Sequence, residues 1–134
     1  MADTNVYVTA ANDAAFGRRF EVFLRREGPL VVSAVAMAEV LIGIADLRQH
    51  TSALEALNAD ATVLAPEPED WARAAAAVVR LGGDAVTKSR SFWNDALLAA
   101  QCARLELTLV TSNVADFQRL GRYLGVRAVA PFPS

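Results

Sequence analysis

Three chemically versatile residue types are almost missing from this chain of 134 residues, which has one cysteine, one histidine and one lysine. A single cysteine, Cys102, excludes an internal disulfide, and its place in an apolar helical stripe reads as a small core residue. A reducing cytoplasm is the expected compartment. His50 has no cysteine, histidine or carboxylate at ligand spacing, so it reads as a surface residue in a polar connection. No apolar run reaches the roughly 20 residues of a membrane span, because the longest, Leu30 to Ala45, is interrupted by Ser33 and Glu39. No charged start followed by an apolar segment opens the chain, so no signal peptide is expected. Lysine is nearly absent, and arginine supplies twelve of the thirteen positive side chains. A net charge of −2 excludes a global basic field for nucleic acid. Arginine nevertheless suits bidentate phosphate contacts, while most of these arginines are expected to coat solvated helix faces.

What is abundant is apolar surface. Hydrophobic residues make up 54% of the chain, enough for one domain over 1–134 with a substantial core. Met1 to Thr9, around VYVT, reads as a short first strand. Asn12 or Asp13 caps a helix whose Phe16, Phe20, Phe23 and Leu24 form one stripe, with Arg18, Arg19, Arg25 and Arg26 on the other faces. LVVSAVA from Leu30 reads as a buried strand. The following MAEVLIGIADL is apolar almost all the way round and is expected to be buried on most sides. Ser52 and Glu55 form a capping box for the next helix, and ATVLAP at 61 to 66 is another strand. Pro66 to Asp70 is an acidic helix start explained by the helix dipole, and that helix runs to Gly82-Gly83. LTLVT at 107 to 111 and VRAVAP near the end complete the strands, with Gly121 and Gly125 bracketing a turn. Strands alternating with helices predict a three-layer α/β/α sandwich around a mostly parallel sheet of four or five strands.

The stretch from Phe92 to Leu120 joins two carboxylates to the most strongly patterned segments. Leu98, Cys102 and Leu105 follow Asp95 at helical spacing, so Asp95 heads the stripe that faces the core. Asp116 comes just beyond the carboxyl end of the strand LTLVT, which in open α/β sheets is the edge where ligands sit. Glu39 is the only charged residue of its apolar segment before Asp46 and needs a cation or donor to meet it. Asp3 lies in the first predicted strand, almost at the terminus. Each acid taken singly has an ordinary reading as a turn, cap or ion-pair residue. Together they converge on one sheet edge, where mutual repulsion calls for a divalent cation, and hard oxygen donors without His or Cys select Mg²⁺ or Mn²⁺ over zinc.

The residues DTN at 3 to 5, the S-x5-E of Ser33 and Glu39, NDALLAA at 94 to 100 and TLVTSNVADF at 108 to 117 resemble the motifs of PIN-domain nucleases, specifically the VapC-type toxins of bacterial toxin–antitoxin pairs. The resemblance covers nearly the whole chain, and the last two motifs are the most specific. It implies that Asp3, Glu39, Asp95 and Asp116 are the acidic catalytic and metal-binding set, with Asn5 and Thr111 as polar supports. It further implies a Mg²⁺- or Mn²⁺-dependent endoribonuclease that is dimeric and cytoplasmic and is restrained by a cognate antitoxin. One departure is that only Met1-Ala2 precede Asp3, so the first strand must be short. A divalent ion held by carboxylates would relieve charge on the phosphoryl oxygens and activate water. Arg18, Arg19, Lys88 and Arg90 are candidates to guide the RNA backbone. Two other readings compete. A phosphatase of the haloacid dehalogenase type would want a second aspartate two positions after Asp3, where Asn5 stands. A non-catalytic domain of the same fold, which only binds RNA or a partner protein, is the reading that stands if the shortened first strand spoils the metal site.

Overall fold

The computed structural model describes residues 1–27, 30–81 and 90–131. Asp3 takes an extended backbone and its carboxylate accepts from Thr4 N, which starts helix α1 (Thr4–Asn12). The expected first strand is therefore reduced to one parallel bridge between Ala2 and Val110, secured by Asp3 N to Val110 O and Val110 N to Met1 O, both 2.8 Å. The β-branched VYVT lies in the helix instead. Strand propensity there loses to the capping carboxylate and to the packing of Val6 and Ala10, four residues apart on one helix face. Helix α2 (Ala14–Glu27) follows, with Asp13 Oδ1 accepting from Phe16 N at 3.1 Å.

Strand β1 (Leu30–Ser33) passes directly into α3 (Ala34–Ile42), because the Ser33 hydroxyl caps Val35 N at 3.1 Å. Ala36 of α3 is fully buried, but Ile42 and the following Leu47 are 71% and 76% exposed. The expectation that this apolar helix is buried on most sides is thus corrected. Helix α4 (Arg48–Asp60) begins earlier than the Ser52–Glu55 capping box proposed from the sequence. Asp46 Oδ1 accepts from Arg48 N at 3.0 Å, so the helix has started before Ser52. Strand β2 (Ala61–Leu64) pairs in parallel with β1, Leu30 opposite Ala61 through Ser33 opposite Leu64.

Helices α5 (Pro68–Leu81) and α6 (Arg90–Arg104) lead to β3 (Thr108–Val110), α7 (Val114–Leu124) and β4 (Arg127–Val129). β3 and β4 are parallel, with Val110 opposite Val129. The expected parallel pairing is therefore present, and among the described residues the four strands are hydrogen-bonded as two separate parallel pairs. Gly121 lies inside α7 rather than at a turn, where a Cβ would stand 2.6 Å from Val126 O. Gly125 alone turns the chain, as the left-handed cap of α7 at φ 77°.

Alternation along β3 separates two apolar layers. Leu109 joins the cluster of α5, α6 and α7, where Ala74, Ala77, Ala96 and Ala100 let helices approach Phe117 and Leu120. Val110 joins Val6 and Phe20 of α1 and α2 on the opposite face. Cys102 is fully buried in the first cluster, as expected, and burial pushes its thiol up to about 11. Asp70 does more than complement a helix dipole. It is fully buried, accepts from Glu67 N at 2.8 Å and takes Arg104 Nε at 2.9 and 3.0 Å. Removing one partner of such a buried pair costs about 3–5 kcal/mol. Among the described residues no helix is long and apolar enough to cross a membrane.

Candidate metal centre

Asp3 is 5% exposed and both of its oxygens are fixed. Oδ1 accepts from Thr4 N at 2.7 Å, and Oδ2 accepts from Thr111 Oγ1 at 3.0 Å. The buried Thr111 in turn accepts from Asn113 N at 3.0 Å, and Asn113 Nδ2 donates to Asp116 Oδ2 at 2.7 Å. A continuous hydrogen-bond chain therefore links Asp3 to Asp116 across the ends of β3 and α7. Thr4 Oγ1 donates to Glu39 Oε1 at 2.9 Å and ties α1 to α3. Asp95 enters from α6, immediately before the buried run Ala96 to Cys102.

Asp3, Glu39 and Asp95 line one cavity of about 370 Å³ together with Thr4, Asn5 and Asn113. No arginine, lysine or histidine is among its described lining residues. Burial, followed by the like charges of Asp3, Glu39 and Asp116, pushes the Asp95 carboxyl up to about 7. Burial also raises Asp3, partly offset by its bonds from Thr111 and Thr4. Asp116 stands outside the lining, its side chain 47% exposed and 4.0 Å from Arg119. Its charge nonetheless reaches Asp95.

The donor set is all oxygen and has no internal cation, which fits a hard divalent ion. Among the described residues no group of three or more histidines, cysteines, aspartates or glutamates is drawn together in a way that could hold a metal ion. An ion that keeps several waters and touches only one or two carboxylates, as Mg²⁺ usually does, does not require such a group.

Of the sequence candidates, Thr111 supports Asp3 directly, and Asn5 lines the cavity while its Oδ1 meets Ser112 N at 3.5 Å. Arg18 and Arg19 are exposed and do not line the cavity. Lys88 and the side chain of Arg90 lie outside the described residues. His50 is half-buried rather than on the surface, with Nε2 2.9 Å from Ile44 O. Sequence reading missed three contributors. Thr4 sits inside the DTN motif and Asn113 inside the TSN turn, so their proximity was visible but their bonds were not. Gln101 is the third, fully buried among alanines and leucines. Its Oε1 accepts from Ser33 Oγ and its Nε2 donates to Leu64 O at 2.9 Å, which pins α6 to both β1 and β2. A lone amide in the run ALLAAQC was the available signal.

The sequence profile of the PIN domain matches residues 1–123. The chain belongs to the PIN domain family. Its first 123 residues thus include all four candidate acids of this PIN domain. Comparison with curated proteins by sequence gives no match. The fold is similar to that of a chain in VapBC2 from Rickettsia felis, solved bound to a DNA fragment from the promoter, with a TM-score of 0.73 and 20% identity. That likeness covers 97% of this PIN domain and 96% of the other chain. VapBC-1 from nontypeable Haemophilus influenzae is similar to the same degree, with a TM-score of 0.73, 22% identity and coverage of 98% and 96%.

Proposed function

We propose that this PIN domain is a Mg²⁺- or Mn²⁺-dependent endoribonuclease that acts as the toxin of a type II toxin–antitoxin pair. The observation that carries the reading is the meeting of Asp3, Glu39 and Asp95 at one cavity, with Asp95 pushed up to about 7. Glu39 and Asp95 are the residues with the least internal compensation and would hold the ion. Asp3, fixed through Thr4 and Thr111, would complete the shell or orient water, and Asp116 would act from the rim through Asn113. A divalent ion so held supplies charge neutralisation and Lewis acidity at the phosphoryl group.

The chain's own residues have three tasks. They gather carboxylates at one cavity, place no arginine, lysine or histidine in its described lining to compete for them, and fix Asp3 and Glu39 through hydroxyl donors. Both oxygens of Asp3 already accept hydrogen bonds, which favours a fixed acceptor over the attacking nucleophile of a phosphatase. An antitoxin partner is supported by likeness to VapBC proteins, and a cytoplasmic homodimer belongs to the same reading.

The test incubates purified protein with single-stranded and structured RNA, with Mg²⁺ or Mn²⁺ and then with EDTA. Cleavage dependent on the ion and lost in Asp95→Asn is expected. Cleavage that survives EDTA or that substitution sinks the mechanism. The absence of a growth defect on expression without an antitoxin sinks the toxin assignment alone.

A further inference from the structure

Asp116, Arg119 and Tyr123 stand three and four residues apart on α7 and so share one face of it. All three are open to solvent: the side chains of Asp116 and Arg119 are 47% and 54% exposed, and Tyr123 is 44% exposed. Seven residues of helix carry this face about 10 Å away from the acid site. There it meets a second cavity, of about 190 Å³, between α5 and the end of α7. Arg73, Arg80 and Tyr123 provide its polar and aromatic walls over the apolar surface of Ala76, Ala77 and Leu124.

The Arg80 guanidinium lies over the Tyr123 ring, 5.8 Å from its centroid. Arg73 donates through Nη2 to Leu124 O at 3.0 Å. That bond uses one of five guanidinium donors. Among the described residues neither Arg73 nor Arg80 forms an ion pair, although acids outnumber bases fifteen to thirteen in the chain. Helix capping explains the single bond of Arg73, and ring packing explains the pose of Arg80. Neither explains why two guanidiniums and a phenol ring converge on a cavity with an apolar floor.

We infer that this pocket and the α7 face leading to it bind single-stranded RNA a few nucleotides from the bond to be cut. The inference rests on the nuclease reading above. Arg73 and Arg80 take backbone phosphate by charge-assisted bonds. Tyr123, with Arg80 beside it, offers a base a stacking surface that tolerates any sequence. Arg119 bridges the interval, already turned toward Asp116. An acidic peptide matches the two guanidiniums but gives no use to the stacking face, so RNA is the better fit.

The experiment titrates a fluorescent uridine decamer, and separately an acidic decapeptide, into the Asp95→Asn protein with Mg²⁺ across a salt series. Tyr123→Leu is expected to weaken RNA binding about tenfold. Arg80→Ala should weaken it and lower the salt slope by about one. Melting temperatures confirm that both variants fold. RNA affinity unchanged in both variants, or binding of the peptide in preference to RNA, overturns the pocket assignment while a parent chain that still cleaves RNA leaves the nuclease reading standing. A parent that neither binds nor cleaves RNA overturns both.

Discussion

Replacing Asp95 by asparagine should stabilise the metal-free protein even as it abolishes cleavage. Burial first, then repulsion from Asp3, Glu39 and Asp116, moves this carboxyl from an ordinary 3.8 to about 7. The unfolded chain releases the proton near the lower value and the folded chain near the upper one. Between them the folded state binds more protons than the unfolded state, so stability falls as pH rises through that window and stays low above it. At ~1.36 kcal/mol per pH unit the full penalty is about 4 kcal/mol, and partial solvent contact of Asp95 reduces it to roughly 2 kcal/mol. Asparagine carries no such penalty. For a domain of this size about 3 °C accompanies each kcal/mol, so the variant should melt about 6 °C higher near pH 8 and with little difference near pH 4. Scanning calorimetry of both proteins in EDTA across that range measures it. Saturating Mn²⁺ should then close the gap, since at a hundredfold excess over Kd a bound ion adds about 2.7 kcal/mol to the parent. A difference that does not vary with pH, or a variant less stable than the parent near pH 8, refutes the gathering of like charges around Asp95.

Three other substitutions test separate parts of the structure. Glu39→Gln keeps an acceptor for Thr4 Oγ1 but removes a charge from the cavity, so the metal-free melting temperature should hold or rise while Mn²⁺ affinity, read by titration calorimetry, falls tenfold or more. A lower metal-free melting temperature would count against the clustering. Gln101→Leu leaves the buried Ser33 hydroxyl without its acceptor and the half-buried Leu64 carbonyl without its donor, and denaturant unfolding should show a loss of about 1–3 kcal/mol. Ser33→Ala removes the orphaned hydroxyl but also the cap on Val35 N, so the double variant should lose less than the sum of the two single changes, and strict additivity would mean that the two side chains are not coupled. Gly121→Ala should cost about 1–3 kcal/mol by crowding, despite alanine's better helix propensity. A more stable variant would show that Val126 can yield.

The sequence made the layout legible where pattern is long and redundant. The run from Asp95 to Cys102 declared a buried helix, and LTLV declared a buried strand, because each repeats its period over several residues. Short segments were ambiguous. VYVT has strand-forming side chains, yet one aspartate at its head decides for helix, and composition does not register that. MAEVLIGI looked buried all round because apolarity along a sequence does not say whether a neighbour exists to cover it, and Ile42 has little cover. Within the site the acids were visible as charges in apolar surroundings. Their supports were not, because the bonds from Thr4 to Glu39 and from Thr111 to Asp3 span 35 and 108 positions of the chain. Gly121 was misplaced for a similar reason, since the backbone it must clear belongs to the next strand.

Two of the four acids begin helices and two do not. Asp3 caps α1 and Asp116 lies in the first turn of α7, where peptide dipoles present about half a positive charge to each. Glu39 and Asp95 have no such internal counterion, being set further along α3 and α6. In electrical terms the compensation is lopsided: helix dipoles offset the two helix-start acids and not the two mid-helix ones, so on the proposed reading an arriving ion should settle beside Glu39 and Asp95 first.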